Sequence, residues 1–172
     1  SRDKLAMLSE RARGRVETVV VTVDADNELL AMIQATARPD WIQLHGLETP
    51  ALTAHARTYA RTGVIKAIGV ARSEDLAAAE AFAPAAEMLM FDAKPPPGGL
   101  PGGNAMAFDW AILAGRRFSR PWLLSGGLTP ENVREAISSA GAALVDVSSG
   151  VESAPGVKDA TAISRFLAAA RP

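Results

Sequence analysis

What most constrains this chain is an alternation. Short apolar, β-branched runs fall at residues 16–23 (VETVVVTV), 41–44 (WIQL), 64–70 (VIKAIGV), 88–91 (MLMF), 121–124 (PWLL) and 143–147 (ALVDV). Nearly continuous apolar runs of that length suit parallel strands covered on both faces. Between them lie alanine-rich segments with helical spacing, at 27–37, 51–60, 73–82, 131–140 and 160–170, and a further helix is expected over 2–12, ending near Gly14. Ser73 ahead of Glu74 and Asp75, Thr129 ahead of Pro130 and Glu131, and Asp159 ahead of the last segment read as helix starts. Successive strands recur about every 25–30 residues, the length of a βα unit.

Two architectures accept repeated βα units, the open doubly wound sheet and the (β/α)8 barrel. The 172 residues hold six strand-like runs. That is two units short of a barrel of typical size, and on length alone it favours the doubly wound sheet. The chain opens on a helix and on Ser1. A barrel without its first strand, first helix and second strand would begin in the same way. No proline- or serine-rich linker divides the sequence, so a single domain over 1–172 is expected. The proline- and glycine-rich segment 95–103 lies within one βα unit and reads as a loop.

Bulk properties exclude several function classes. A net charge of −1 with scattered Lys and Arg gives no footprint for nucleic acid. No apolar run approaches the ~20 residues of a membrane-spanning helix, and no secretory leader pattern opens the sequence. There is no cysteine, hence neither a disulfide frame nor a thiolate metal site. A cytoplasmic protein is the expectation.

Polar residues gather where the strand-like runs end, the place where both candidate folds carry their sites. Gln43 and His45 close the second run, Lys66 lies within the third, and Asp92 and Lys94 end the fourth. Ser125-Gly126-Gly127 ends the fifth, and Asp146 with Ser148-Ser149-Gly150 ends the sixth. The two glycine-bearing turns have the form that holds a phosphate on backbone N–H groups; equally, their glycines serve to make tight turns. His45 suits an acid, a base, a substrate contact or a structural histidine. His55 falls in a helical segment and reads as a surface residue. Asp109 reads as a helix cap. Lys66 would point into a barrel centre or pair with an acid such as Asp92. Asp92 is the sharpest candidate: at the end of an apolar strand a carboxyl is partly withdrawn from water, which favours its protonated form and suits it to act as an acid. A mobile loop behind it would fold over a substrate and exclude water.

Four stretches carry a resemblance. WIQLHGLET, FDAKPPPGGLPGGNAMAFDW, LLSGGLTPENVREAI and VDVSSGVESAPGVKD, in that order, resemble the phosphoribosylanthranilate isomerase family of tryptophan biosynthesis, with a match from about Val16 to Phe166. The resemblance implies a (β/α)8 TIM barrel, of which this chain represents strands 3–8. It implies an Amadori rearrangement of a small phosphorylated substrate, N-(5-phosphoribosyl)anthranilate, to the 1-deoxyribulose form, with no metal or organic cofactor. One acid protonates the ribose ring oxygen as the ring opens to an iminium. One base then removes the C2′ proton to give an enolamine that tautomerises to the ketone.

By the same resemblance Asp92 matches the family's acid, and the proline- and glycine-rich segment matches a flap beside it. Gly126, Gly127, Ser148, Ser149 and Gly150 match the phosphate turns; Gln43, His45 and Asp146 match polar residues around the anthranilate and ribose. The family's base is a cysteine at the end of the first strand, and it has no counterpart in these residues; nor does an arginine that contacts the anthranilate carboxylate, since Arg2 falls too late. The 172 residues alone are therefore expected not to turn the substrate over. Two alternatives are a non-catalytic phosphate-binding domain and a sister barrel such as indole-glycerol-phosphate synthase. The second is disfavoured because the lysine and glutamate residues that it uses at strand ends cannot be placed in this sequence.

Overall fold

Helix boundaries in this chain follow from side chains that satisfy the first free N–H groups. The computed structural model describes residues 1–94 and 107–171. Helix α1 (Arg2–Ala12) is capped by Ser1 and ends before Gly14. Helix α2 (Asn27–Ala37) begins where the Asp26 carboxylate accepts from Leu29 N at 2.8 Å, and it buries Leu30, Ile33 and Ala37 along one face. Helix α3 (Pro50–Ala56) has Thr49 as cap and Pro50 in its first turn. The later helices are α4 (Ala77–Phe82), α5 (Val133–Ala140) and α6 (Ala160–Ala170). In α6 the Asp159 carboxylate accepts from both Thr161 N and Ala162 N, as its sequence position suggests.

Five strands are present, β1 (Val19–Thr22), β2 (Trp41–Leu44), β3 (Gly63–Val70), β4 (Met88–Ala93) and β5 (Trp122–Leu124); α2, α3 and α4 lie between successive strands from β1 to β4, and among the described residues a 3-10 turn, Trp110–Leu113, lies between β4 and β5. The strands form one sheet in the order β1-β2-β3-β4-β5. The β1–β2 and β2–β3 pairs are parallel, with Val21 opposite Gln43 and Gln43 opposite Ile65. Sequential neighbours, parallel pairing and intervening helices are the α/β arrangement that the alternating pattern implies. A two-stranded antiparallel pair, β6 (Glu152–Ala154) with β7 (Val157–Lys158), follows the last turn and has no apolar signature in the sequence.

The chain falls into two compact units. The first comprises Ser1–Ala67 and Ala81–Leu89. Its core joins Leu30 to Ile42, Leu44, Ala56 and Val64, with Tyr59 packed against it. The second comprises Ile68–Glu80 and Met90–Pro172. In it Phe91, Phe118 and Trp122 form an aromatic trio with ring centroids 4.6, 5.6 and 5.9 Å apart, near the favoured tilted and edge-to-face geometries.

Several expectations are corrected. The run at 16–23 is strand only over β1, and its Val19 and Val21 are exposed rather than buried, because among the described residues β1 pairs with β2 alone. The run at 143–147 is not a strand: Val145 makes a single parallel bridge to Leu124, held by Leu124 N to Leu144 O and Asp146 N to Leu124 O. Ala143 and Leu144 are exposed beside it. The helix expected over 51–60 breaks after Ala56 into a 3-10 turn, Arg57–Tyr59, where the Thr58 hydroxyl donates to His55 O and competes for the helical carbonyls. The segment 73–82 opens as a 3-10 turn, Ser73–Leu76, with the Asp75 carboxylate accepting from Ala71 N and Arg72 N. Helix α5 starts at Val133, because Asn132 takes the Thr129 N–H on its own side-chain oxygen and closes a turn over 129–132.

No helix among the described residues is long and apolar enough to cross a membrane.

Candidate functional site

In the first unit the polar residues stand at and beyond the end of β2. Gln43 is the third residue of that strand and is 6 % exposed. Its Nε2 lies 2.9 Å from His45 Nδ1. With the amide nitrogen as donor, Nδ1 accepts, and a neutral imidazole carries its proton on Nε2. His45 N donates to Thr22 O at 2.8 Å, tying the residue back to β1.

The acid that Lys66 pairs with in this unit is Glu48: its ammonium lies 2.7 Å from Glu48 Oε2, with both side chains buried. Burial by itself works against a charged Glu48. The hydrogen bond from Lys66, those from backbone N–H groups and the Lys66 charge outweigh it, holding the Glu48 carboxyl below the usual glutamate range. Glu48 escaped the sequence reading. Its signal was a lone acid a few residues past an apolar strand, opposite a lysine inside the next strand. His55 is a surface residue, packed edge-on against Tyr59.

The second unit holds the remaining candidates. Asp92 is the fifth residue of β4, 6 % exposed, and its Oδ1 accepts from Ala93 N at 2.9 Å. The strand places it here because Leu89, Met90 and Phe91 are each buried, which carries the carboxylate to the rim of an apolar layer. Ser125 N donates to Phe91 O, bringing the end of β5 alongside. Gly126 then lies so near that a Cβ on it would come 2.5 Å from Ala93 N and 3.0 Å from Asp92 Oδ1. Its φ of 87° is left-handed as well, so glycine is required there on two counts.

The Ser125 hydroxyl donates to Asp146 Oδ2 at 3.0 Å, joining the fifth strand end to the segment that follows α5. The two glycine turns meet backbone to backbone, since a Cβ on Gly150 would overlap the carbonyl oxygen of Leu128. Asn132 Nδ2 donates to Gly127 O at 2.9 Å and fixes the first turn. The N–H groups of Gly126 and Gly127 meet no acceptor among the described residues. Lys158 reaches back from β7 to donate to Ser148 O at 2.9 Å and Ser148 Oγ at 3.1 Å, fixing the second turn. Its hydrogen bond to Glu152 holds that carboxyl below the usual range. Asn132 and Lys158 were also missed, since their partners are backbone carbonyls that no spacing rule reveals. Asp109 caps the short turn Trp110–Leu113, as expected. The flap expected over 95–103 lies outside the described residues.

The second unit therefore brings together a buried carboxylate, two touching glycine turns and a Ser125–Asp146 link. Chemically this is an acid beside glycine turns with N–H groups that have no acceptor among the described residues, an arrangement able to hold an oxyanion and protonate an atom attached near it.

Comparisons with known proteins agree in kind. A profile of the family described as N-(5'phosphoribosyl)anthranilate (PRA) isomerase matches residues 2–169. The chain is 55% identical over 168 residues to an N-(5'-phosphoribosyl)anthranilate isomerase of Caulobacter vibrioides, covering 96% of this chain and 77% of that one. It is 51% identical over 170 residues to one of Paramagnetospirillum magneticum, covering 98% and 79%. Among solved structures, phosphoribosyl anthranilate isomerase from Thermotoga maritima superposes with a TM-score of 0.85 at 34% identity, over 99% of this chain and 80% of that chain.

Proposed function

The chain belongs to the N-(5'-phosphoribosyl)anthranilate isomerase family, and from that premise we propose how its residues divide the work. The activity is phosphoribosylanthranilate isomerisation in tryptophan biosynthesis. Asp92 is the general acid: it protonates the ribose ring oxygen, the C1′–oxygen bond breaks, and the anthranilate nitrogen lone pair forms the iminium. Gly126, Gly127 and the backbone of Ser148, Ser149 and Gly150 hold the phosphate. Gln43, His45 and Asp146 contact the anthranilate and ribose. A related phosphoribosyl anthranilate isomerase has been solved in complex with reduced 1-(o-carboxyphenylamino)-1-deoxyribulose 5-phosphate, which supports a phosphorylated small-molecule substrate.

The observation that carries the acid assignment is the approach of Gly126 to the Asp92 carboxylate. It sets the proton donor next to a glycine turn whose N–H groups suit a phosphate, the juxtaposition that a phosphoribosyl substrate needs. The order of the motifs supports counting β1 as the third strand of a (β/α)8 barrel built as one domain, in a cytoplasmic enzyme. A single cooperative unfolding transition followed by two probes tests the one-domain reading.

The base is a separate matter. The family's cysteine has no counterpart among the 172 residues, and we read polypeptide 1–172 as holding the acid and phosphate groups without the base. Assayed alone with N-(5'-phosphoribosyl)anthranilate, it is expected to give no turnover; measurable turnover overturns this point and leaves the family standing. Titration with inorganic phosphate, followed by amide NMR, tests the subsite. Shifts at Gly126, Gly127 and Ser148–Gly150 support it, and shifts confined to other residues contradict it.

A further inference from the structure

Lys66 Nζ has three acceptors, and two of them flank a single residue. It donates to Glu48 Oε2 at 2.7 Å, to Gly46 O at 2.7 Å and to Leu44 O at 3.4 Å. The two carbonyls belong to the neighbours of His45. Glu48 completes the frame from the other side: its carboxylate accepts from Gly46 N at 3.1 and 3.2 Å and from Asp24 N at 3.0 Å. The Asp24 carboxylate in turn accepts from Leu47 N at 2.6 Å, with Asp24 itself at a left-handed φ of 49°. Gly46 leaves no room for a side chain, because a Cβ there would overlap the Asp24 carboxylate. One buried ion pair thus fastens the turns after β1 and β2 to the middle of β3.

We propose that Lys66 and Glu48 are positioning residues that set the backbone, and through it the imidazole, of His45 toward the aromatic part of the substrate. The proposal rests on the reading of His45 as a contact to the anthranilate moiety. Stability alone does not account for such a pair, since replacing a buried ion pair by apolar side chains of similar volume is often neutral or stabilising. What an apolar pair cannot reproduce is the convergence of one ammonium on the carbonyls of Leu44 and Gly46 and of one carboxylate on the N–H groups of Asp24 and Gly46. Every hydrogen on the ammonium is used, and the Phe82 ring, 5.3 Å from it, supplies an aromatic face rather than a competing acceptor.

The test uses two substitutions at Glu48 and one double variant, with anthranilate and inorganic phosphate as separate probes. In Lys66→Met/Glu48→Met the fold is expected to persist while amide exchange at Asp24 and Gly46 accelerates at least ~tenfold and that of Ile42 and Val64 does not. Anthranilate affinity, read from the His45 ring resonances, is expected to fall about tenfold, and phosphate binding at Gly126 to stay unchanged. Glu48→Gln keeps an acceptor for Asp24 N and Gly46 N and is expected to hold anthranilate affinity within about threefold, whereas Glu48→Met is not. Unchanged exchange at Asp24 and Gly46 in a folded double variant, or equal affinities for the Gln and Met variants, overturns the proposal. If the unsubstituted protein binds no anthranilate at His45, the assignment of His45 fails, and the exchange measurement still decides whether the pair holds the turn.

Discussion

A Cβ placed on Gly126 would stand 3.0 Å from Asp92 Oδ1 and closer still to Ala93 N. The turn after β5 can therefore touch the acid only because it carries no side chain. Gly126→Ala has to displace the β4 end as well as adopt a left-handed φ. The expected cost is about 1–3 kcal/mol of stability, measured by denaturant unfolding, together with weaker phosphate binding. A variant as stable as the parent would mean that the turn has room to withdraw.

Ser125→Ala removes the hydroxyl that donates to Asp146. Asp146 stays anchored through its own N–H to Leu124 O, so the loss is limited to one side-chain hydrogen bond to a carboxylate, about 1–3 kcal/mol. The same unfolding measurement checks it. A larger loss would show that the bond also holds the segment 143–147, which Leu124 bridges at Val145.

Asp159 accepts from two N–H groups at the start of α6. Asp159→Ala is expected to lose about 1 kcal/mol, and Asp159→Asn a good deal less, because the amide oxygen still caps. Thermal unfolding of the two variants side by side checks the order.

Acid should weaken the fold in a defined direction. Glu48 is held below its ordinary value of 4.5 by Lys66 and backbone N–H groups in spite of burial. Asp40 is held below 3.8 first by its hydrogen bond from Thr18 N, and Asp75 likewise by that from Ala71 N. A carboxyl depressed in the folded state binds fewer protons there than in the unfolded chain. Its contribution is complete above the unfolded value and is lost as pH falls through the folded one. Unfolding free energy is therefore expected to be level above about pH 5 and to decline progressively below about pH 4.5, less steeply in Glu48→Gln. A profile flat down to about pH 2 would contradict the assigned carboxylate contacts.

Much of this was legible from residue order, and the exceptions have physical reasons. Asn27–Ala37 was legible from its alanine-rich helical spacing, and Ala160–Ala170 from that spacing together with its local cap, Asp159. Trp41–Leu44 was read because it is apolar and short. The strand expected at 143–147 failed because a run of apolar residues records affinity for a neighbour, and among the described residues Leu124 alone bridges to it. Asp92 stood out as a carboxylate closing an apolar strand. Glu48, Asn132 and Lys158 did not, since each acts on backbone groups brought near by folding. The pairing of Lys66 with Glu48 follows from strand register: Lys66 lies opposite Leu44, four residues before Glu48.

The central claim is that Asp92 is the acid and that the glycine turns, not the acid, hold the phosphate. The measurement that tests it most directly is isomerase turnover and inorganic-phosphate inhibition for Asp92→Asn, made in the protein purified from its source. Asparagine keeps the shape and cannot give up a proton as a carboxylic acid does. The account predicts turnover lower by about 10²–10⁴-fold with phosphate inhibition within about twofold of the parent. Turnover near that of the parent, or phosphate affinity lost in step with it, would contradict the account.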